Sequence, residues 1–356
     1  MSLPFLNSKS PRKDHILAVD LGFRHTKAVY LQWKGTQYAV AGYQIQDAPV
    51  YERGLSVELL SQHLKGIVGS LGAKTKSISL AAGVSDAIVR EAELPLSPIA
   101  DLRAMIKLNS KNYLQQDLPD YVFDCHIQDM IQARPDAGKA PAKARVLVAG
   151  AKKQYVDDLQ QAAKAAGCVV EHIFPSMLGP ANAYELANAA SFSKEVVALV
   201  DLGFKHSSIT IFLEGRLCLS RVVGIGGDKL TSGIAETLGV SYVEAENIKV
   251  GMADEVQSIL APLLSPLGRE LRASIDFFEH NQDKAVGQVY VSGGAGRSEF
   301  MIQTLQSDLM VPCKGWNPVS SFGIALPAPQ LATIEQDAPQ LAVALGAAIA
   351  AMPASV

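Results

Sequence analysis

The chain has 356 residues, of which 48% are hydrophobic and 19% are charged, and its formal net charge is -3. The length allows two or three compact units, and the balance of residue types excludes a long disordered tract. The slightly acidic charge gives no indication of nucleic-acid binding.

The start of the chain and the cysteines bear on where the protein works. The first residues lack the succession of a secretory signal, and no run of about 18 apolar residues could span a bilayer. We therefore expect a cytoplasmic protein without direct membrane insertion, with a flexible tail at residues 1–14. The widely spaced Cys125, Cys168, Cys218 and Cys313 favour reduced core residues over a zinc site or disulfides.

An eight-residue pattern occurs twice in the chain. The first copy, VDLGFRHT, covers residues 19–26, and the second, VDLGFKHS, covers residues 200–207. Each copy follows an apolar run typical of a buried strand and enters a second run, which is closed by Lys34-Gly35 or Glu214-Gly215. A further strand follows each turn. The sequence therefore predicts the same β-meander twice, about half a chain length apart.

Asp20 and Asp201 hold the same position in the two copies. Each ends a buried strand and is followed at once by a glycine-bearing turn, which exposes a carboxylate beside N–H groups that can approach phosphate oxygens. Two facing units would hold a polyphosphate with their amides and a hydrated Mg²⁺ with their aspartates. A single copy would favour an ordinary hairpin, but the repetition favours this clamp.

Between the two copies the patterns predict a small inserted α+β unit. A helix at 57–71 and strands at 77–82 and 87–94 come before it. The elements predicted within it are a helix at 98–114, strands near 121–128, 145–149 and 168–173, and a helix at 153–166.

Beyond the second copy the patterns predict mainly helices. Gly226-Gly227 opens a helix that runs to residue 238, and Ser241 with Glu244 indicates a capping box for the next one. A strand at 288–291 then leads into Ser292-Gly293-Gly294. A further amphipathic helix is marked by Leu267, Leu271, Ile275 and Phe278.

Four passages together resemble the PilM family of type IV pilus assembly proteins, in the PilM/FtsA branch of the actin-like ATPases. They are REAELP at 90–95, AGCVVEHIFP at 166–175, SRVVGIGGDKLTSGIAETLGVSYVEAENIK at 220–249 and VYVSGGAGRSEFMIQTLQSDLMVPC at 289–313. The order of motifs is similar along nearly the whole chain. The resemblance implies an α/β fold of the actin-like (ribonuclease H-like) type, duplicated and two-lobed, with a small inserted α+β domain.

The resemblance also implies a division of the chain into four units. These are a first lobe at 15–95 and 320–356, an inserted α+β subdomain at 96–175, a second lobe at 176–239 and 285–319, and a helical subdomain at 240–284.

Family positions that contact phosphate and Mg²⁺ correspond to five residues here. By resemblance, Asp20 with Gly22 forms the first phosphate loop and Asp201 with Gly203 the second. Lys27 matches the basic position of the first loop, with an ordinary surface lysine as its alternative. The implied cofactors are ATP or ADP with Mg²⁺, the metal held by the two aspartates through water.

The adenosine side of the implied site consists of three residue pairs. They are Gly226 with Gly227 near the sugar or phosphates, Glu246 with Lys249 at the ribose and adenine, and Gly293 with Gly294, where the backbone approaches the adenosine. A surface i,i+3 ion pair is the alternative for the charged pair, and a plain strand-to-helix turn is the alternative for the last two glycines.

The residues that follow the two loop glycines differ from the small hydroxyl residues usual in the family. They are Phe-Arg-His at 23–25 and Phe-Lys-His at 204–206. Arg24, Lys205 and the two histidines could supply cationic donors to phosphate instead. A metal site formed by the two histidines is less favoured, because no further His or Cys lies at ligand spacing.

The family resemblance implies a cytoplasmic nucleotide-binding scaffold of a type IV pilus or related secretion machine, held at the inner membrane through its partners. The implied partners are the N-terminal peptide of a PilN-like membrane protein and other platform components. We expect the peptide groove between the first lobe and the inserted domain, with walls from 77–95 and 146–150. The sequence offers no convincing base for hydrolysis, so we expect at most a slow ATPase whose nucleotide is structural or a switch.

Two other functions remain open at this point. FtsA-like cell-division proteins end in a basic amphipathic helix, whereas residues 341–352 are alanine-rich and uncharged and are expected to pack against the second lobe. A small-molecule kinase of the same superfamily would need a catalytic carboxylate over a sugar pocket in the first lobe.

Overall fold

The computed structural model describes residues 13–50, 55–131 and 142–353, so the predicted tail at 1–14 lies almost wholly outside the described residues. In chain order the strands are β1 (His15–Leu21), β2 (His25–Trp33), β3 (Tyr38–Asp47), β4 (Ser77–Ala82), β5 (Ala87–Pro95), β6 (Tyr121–Ile131), β7 (Lys143–Lys152), β8 (Val169–Pro175), β9 (Val196–Leu202), β10 (Ser207–Leu213), β11 (Arg216–Val223), β12 (Val289–Ser292), β13 (Cys313–Gly315) and β14 (Gly323–Ile324). The α-helices are α1 (Val57–Leu71), α2 (Ile99–Leu108), α3 (Ser110–Leu114), α4 (Lys153–Ala165), α5 (Gly179–Ala187), α6 (Ala189–Phe192), α7 (Gly227–Leu238), α8 (Tyr242–Gly251), α9 (Gln257–Gln282), α10 (Glu299–Leu309), α11 (Ala328–Asp337) and α12 (Ala342–Ala350).

The first repeat lies in a six-stranded sheet with the order β14-β3-β2-β1-β4-β8. β1, β2 and β3 form the predicted antiparallel meander, and β4 and β8 extend the sheet in parallel. Alternate side chains of a strand face opposite sides of its sheet, so β1 contributes to two cores. Leu17 and Val19 pack with α1 and α4, whereas Ile16 and Ala18 face α5 and α12.

The second repeat lies in a five-stranded sheet with the order β11-β10-β9-β12-β13. β9 has the same alternation as β1: Ala198 and Val200 pack with α7, α9 and α10, and Val197 and Leu199 join the core of α5 and α12. The helix pair α5 and α12 therefore lies between the two sheets. α12 contacts α5, which the predicted boundaries place in the second lobe, and also β1, β2 and β4 of the first, so the segment expected to pack against the second lobe packs against both.

A three-stranded antiparallel sheet, β5-β7-β6, forms the inserted unit, and α2 and α3 pack on it. β5 pairs with β7 along its whole length, whereas β8 pairs with β4 in the first sheet. The predicted boundaries put 87–95 in the first lobe and 169–175 in the inserted unit, and the strand pairing reverses both assignments. The helix predicted at 98–114 is two helices that meet at Asn109.

The helices after the second repeat bring α8 to the edge of the space between the lobes. α8 begins with the predicted capping box, in which the Ser241 N–H donates to Glu244 Oε2 at 2.9 Å and the Glu244 N–H donates to Ser241 Oγ at 3.3 Å. The predicted apolar positions of α9 are all buried, at Leu267, Leu271, Ile275 and Phe278.

Candidate functional site

A cleft of about 320 Å³ lies between the two lobes, with Asp20 and Asp201 in its wall. This volume falls in the range of small-molecule sites, about 300–1,000 Å³. The two aspartates of the repeat therefore face a shared space. Nine of the eleven predicted site residues line the cleft: Asp20, Gly22, Lys27, Asp201, Gly203, Gly227, Glu246, Lys249 and Gly294.

Gly226 and Gly293, the remaining two predicted residues, stand behind the wall of the cleft. A Cβ atom on Gly226 would lie 2.3 Å from the carbonyl oxygen of Phe204. One on Gly293, whose φ is +93°, would lie 2.5 Å from the carbonyl oxygen of Leu202. Backbone approaches this close admit only glycine, so both residues shape the site without contacting its interior.

The two loop glycines have the same surroundings in both copies of the repeat. A Cβ atom on Gly22 would lie 2.5 Å from the carbonyl oxygen of His25, and one on Gly203 would lie 2.5 Å from that of His206. Each turn folds back on itself three residues later. Because both turns leave no room for a Cβ atom, glycine recurs at this position. The backbone of each turn then faces the cleft.

Asp20 is held by the lysine opposite it on the meander. Antiparallel pairing places Lys27 directly across from Asp20, and Lys27 Nζ donates to Asp20 Oδ2 at 3.0 Å. Burial acts to lower the pKa of Lys27, but the carboxylates of Asp20 and Asp201 raise it above its usual value. Lys27 is therefore a cleft residue, and its alternative as a surface lysine is wrong.

Asp201 has different neighbours at the same position of the second repeat. Ser208 stands across from it on β10, where the first copy has Lys27, and Ser292 stands beside it on β12. Ser292 Oγ donates to Asp201 Oδ1 at 3.0 Å. Burial raises the pKa of Asp201, and the charge of Lys27 and the Ser292 hydrogen bond counteract this only in part. The two aspartates are thus geometrically equivalent but electrostatically distinct.

Glu246 and Lys249 form a largely buried pair on α8. Lys249 Nζ donates to Glu246 Oε2 at 2.7 Å, to Thr231 Oγ1 at 2.7 Å and to the carbonyl oxygen of Gly227 at 3.2 Å. The Lys249 side chain is only 8% exposed, so the alternative of a surface ion pair is wrong. Burial acts to raise the pKa of Glu246, but the hydrogen bonds from Lys249 and Thr231 hold it below its usual value. Burial lowers the pKa of Lys249.

The ionised form of Glu246 is expected to stabilise the fold. A carboxyl whose pKa is lowered by folding contributes stability above its unfolded pKa, about 4.3, and loses it as the pH falls through the folded value. Glu246→Gln should cost about 1–3 kcal/mol at pH 7, because Lys249 stays buried without its counter-ion. Melting curves between pH 8 and pH 3 should show the gap to wild type narrowing below about pH 4.5.

Glu236→Gln, on the exposed side of α7, is the matched control and should leave the midpoint unchanged at every pH. A gap between Glu246→Gln and wild type that stays constant across the pH range would show that the charge of Glu246 contributes nothing.

Two cleft residues, of which only His206 was indicated by the sequence, carry buried polar atoms without a hydrogen-bond partner. They are Ser176, through Oγ, and His206, through Nδ1. Ser176 directly follows β8, so the end of a strand parallel to β4 is the signal that could have found it. Gly83 and Val84, in the turn between β4 and β5, line the same part of the cleft. Buried unpaired polar atoms facing a cleft are suited to a polar ligand.

The two histidines of the repeat have separate partners. His25 Nε2 lies 3.4 Å from Asp47 Oδ1, and the His206 ring packs on Phe23 with their centroids 5.3 Å apart. Burial, together with the charges of Arg24 and Lys27, lowers the pKa of His25. In the part of the chain that the structure describes, no three His, Cys, Asp or Glu side chains are grouped to hold a metal ion. Nothing in this geometry supports a metal site on the two histidines.

The sequence matches the family described as type IV pilus assembly protein PilM over residues 18–352. The chain belongs to the PilM family. The matched range includes both copies of the repeat and the inserted unit, so the resemblance seen in the motifs is confirmed along nearly the whole chain.

Solved structures confirm the predicted actin-like fold. A chain of the PilM–PilN type IV pilus biogenesis complex superposes with a TM-score of 0.82 at 20% identity, covering 95% of this chain and 98% of that one. The ethanolamine utilization protein EutJ from Carboxydothermus hydrogenoformans gives 0.57 at 14% identity, covering 96% and 91%. MreB5 of Spiroplasma citri bound to ADP gives 0.52 at 11% identity, covering 87% and 95%.

A shorter similarity connects the chain with the cell division protein FtsA of Bacillus subtilis (strain 168). The two are 37% identical over 67 residues, which is 18% of this chain and 15% of FtsA. The aligned part therefore spans less than one fifth of either chain. Among the helices of the described ranges, none combines the length and apolarity needed to cross a membrane.

Proposed function

We propose that this PilM-family protein is a nucleotide-binding scaffold of a type IV pilus or related secretion machine, and that it binds the N-terminal cytoplasmic peptide of a PilN-like membrane protein. The observation that carries the proposal is the family match over residues 18–352. The protein would then work at the cytoplasmic face of the inner membrane, held there by this partner and by other platform components.

The cleft supports the nucleotide part of the proposal. Its volume suits a small molecule, and glycine turns bring backbone from both lobes to its edge. The buried Oγ of Ser176 and Nδ1 of His206 lack protein partners, which a polar ligand would supply. Asp20 and Asp201 offer the carboxylates that Mg²⁺ prefers, so the residues present fit ATP or ADP with Mg²⁺.

A structural or switching role for the nucleotide agrees with how the aspartates are held. Asp20 accepts from Lys27 and Asp201 accepts from Ser292. These hydrogen bonds orient the two aspartates as ligands for a hydrated Mg²⁺ rather than as general bases for an attacking water. We therefore propose slow hydrolysis at most.

The inserted sheet supports the placement of the peptide groove. Residues 146–150 of β7 are buried, so this strand would back the groove from beneath and would not contact the peptide. β5 has the exposed positions Arg90, Glu91 and Glu93, and Glu91 already pairs with Arg216 of the second lobe at 3.1 Å. Glu93 is therefore the position at which a change of charge tests the groove with least effect on the fold.

Calorimetric titration with the N-terminal peptide of the PilN-like protein from the same organism tests the proposal. We expect saturable binding, which a scrambled peptide does not reproduce. Glu93→Arg should change the affinity by about fivefold or more, equivalent to about 1 kcal/mol. Glu58→Arg, on the exposed face of α1, is the matched control and should bind like wild type.

The possible outcomes test the identity of the partner and the position of its binding groove separately. Absence of binding to the wild-type protein would remove the partner from the proposed function. Binding that is equal in wild type and Glu93→Arg would keep the partner and exclude this edge of β5 as the wall.

A further inference from the structure

The two loops of the repeat touch each other across the cleft through side chains. The Phe23 ring of the first loop packs on the His206 ring of the second, with centroids 5.3 Å apart. The Arg24 guanidinium of the first loop lies 5.3 Å from the centroid of the Phe204 ring in the second. Residues at the positions where family members usually carry hydroxyls thus connect the two lobes directly.

The guanidinium of Arg24 makes only a long ion pair with Glu246. Its NH1 atom lies 3.5 Å from Glu246 Oε2, which also accepts the hydrogen bond from Lys249 at 2.7 Å. The Arg24 side chain is 31% exposed. Since Glu246 keeps Lys249 and Thr231 as donors, it stays paired when Arg24 turns away. The guanidinium can therefore change partners at small cost.

The two lysines of these loops have closer ion-pair partners than Arg24 has. Lys27 lies against Asp20 and within the field of Asp201. Lys205, the counterpart of Arg24 in the second loop, pairs with Asp228 at 2.6 Å and is absent from the cleft lining, so the expectation that it donates to phosphate does not hold. Arg24 is thus the loop cation that faces the cleft with a replaceable partner. A guanidinium also suits phosphate better than an ammonium does, because its planar fork donates to two oxygens at once.

We propose that Arg24 binds the phosphate groups of the nucleotide and, by remaining stacked on Phe204, acts as a clamp between the two lobes. This inference rests on the proposed nucleotide binding and adds to it the residue that recognises the polyphosphate. On binding, the guanidinium exchanges the Glu246 carboxylate for phosphate oxygens while its flat face stays on the ring of the opposite lobe. The ligand is then held by one side chain anchored on both loops, in place of the hydroxyls usual in the family.

The test compares Arg24→Ala with Lys205→Ala, which removes the equivalent cation from the second loop and from the same Phe204 ring. Affinities for ADP, ATP and adenosine are measured by calorimetry at fixed Mg²⁺, after the ligand-free melting midpoints have been compared with wild type. Arg24→Ala should bind ADP and ATP about 10-fold more weakly or worse, as expected for loss of a charge-assisted hydrogen bond. Its affinity for adenosine should stay within about twofold of wild type.

Two further variants sharpen the comparison. Lys205→Ala should bind all three ligands like wild type. Arg24→Lys keeps the charge without the planar fork and should fall between wild type and Arg24→Ala for ADP and ATP.

Each outcome decides the inference. If wild type binds neither ADP nor ATP, the nucleotide part of the proposed function and the clamp both fail. If wild type binds them and Arg24→Ala binds them equally well, only the clamp fails. Equal losses in Arg24→Ala and Lys205→Ala, or a matching loss for adenosine, would mean a general disturbance of the loops and would also overturn the clamp.

Discussion

Asp201→Asn is expected to make the ligand-free protein more stable and to weaken its response to Mg²⁺ and nucleotide. Burial raises the pKa of Asp201, so the ionised carboxyl destabilises the folded state at neutral pH. Asparagine removes this charge and still accepts the Ser292 hydrogen bond through its carbonyl oxygen. The midpoint should rise by about 1–2 °C at pH 7.5, an effect of about 1 kcal/mol in a protein of this size.

The same substitution removes one of the two carboxylates proposed to hold Mg²⁺. In a thermal-shift titration with Mg²⁺ and ATP, the midpoint of the wild-type protein should therefore rise. The ligand affinity obtained from the same titration of Asp201→Asn should be at least about tenfold weaker. The stabilisation relative to wild type has a definite pH dependence. Because the folded pKa of Asp201 is raised, the advantage of asparagine is largest at pH values above that pKa and shrinks as the pH falls through it towards the unfolded value, about 3.9.

Asp228→Asn is the matched control with the opposite expected sign. Asp228 accepts hydrogen bonds from Lys205 Nζ at 2.6 Å and from the Tyr242 hydroxyl at 2.8 Å. Although burial acts to raise it, these bonds hold the pKa of Asp228 below its usual value. Its loss should lower the midpoint and leave the nucleotide response in place. If Asp201→Asn also lowers the midpoint, or keeps the full nucleotide response, the account of Asp201 is wrong.

The repeat made the centre of the site predictable. Asp20 and Asp201 stand at equivalent positions of equivalent strands, and a duplicated two-lobed fold places such positions on facing edges. The glycines after them follow from the same argument, since each turn brings a carbonyl oxygen within 2.5 Å of where a Cβ would be. The capping box of α8 and the buried face of α9 were predictable because they depend on local spacing alone.

The features that sequence reasoning missed depend on partners far apart in the chain. β5 and β8 both mix apolar and charged residues, and nothing within them says that one pairs with β7 and the other with β4. Ser176 comes to the cleft from the end of β8, where no repeated motif marks it, whereas the repeat had already indicated His206. The burial of Lys249 depends on Thr231 and Gly227, which lie on another helix.

Gly346→Ala is expected to cause a large loss of stability, because it adds a methyl group where two helices cross. A Cβ atom on Gly346 of α12 would lie 2.1 Å from the carbonyl oxygen and 2.4 Å from the Cα of Gly179 in α5. Both are backbone atoms, so no side-chain rotation relieves the overlap. The two helices would have to separate, which also breaks the hydrogen bond from Asn182 Nδ2 to the Gly346 carbonyl oxygen at 3.1 Å.

The position of this helix pair makes the cost larger than for ordinary overpacking, which is about 1–3 kcal/mol. α5 and α12 lie between the two sheets and contribute to one core with strands of both lobes. Separating them loosens that core on both sides, so we expect a loss of at least about 3 kcal/mol and a fall in the midpoint of at least about 4 °C. Gly179→Ala, whose Cβ would lie 2.6 Å from the Cα of Val343, should behave in the same way.

Gly66→Ala is the control that measures the effect of replacing glycine by alanine in a helix where the added methyl group causes no steric overlap. Gly66 lies on the exposed face of α1, where an added Cβ meets nothing within 4 Å. Alanine in an uncrowded helix is more stable than glycine by about 0.5–1 kcal/mol, so this variant should melt slightly above wild type. Melting curves of the three variants and wild type then decide the matter. If Gly346→Ala melts within about 2 °C of wild type, α5 and α12 can separate at this crossing with little loss of stability, and the core between the lobes can accommodate the added methyl group.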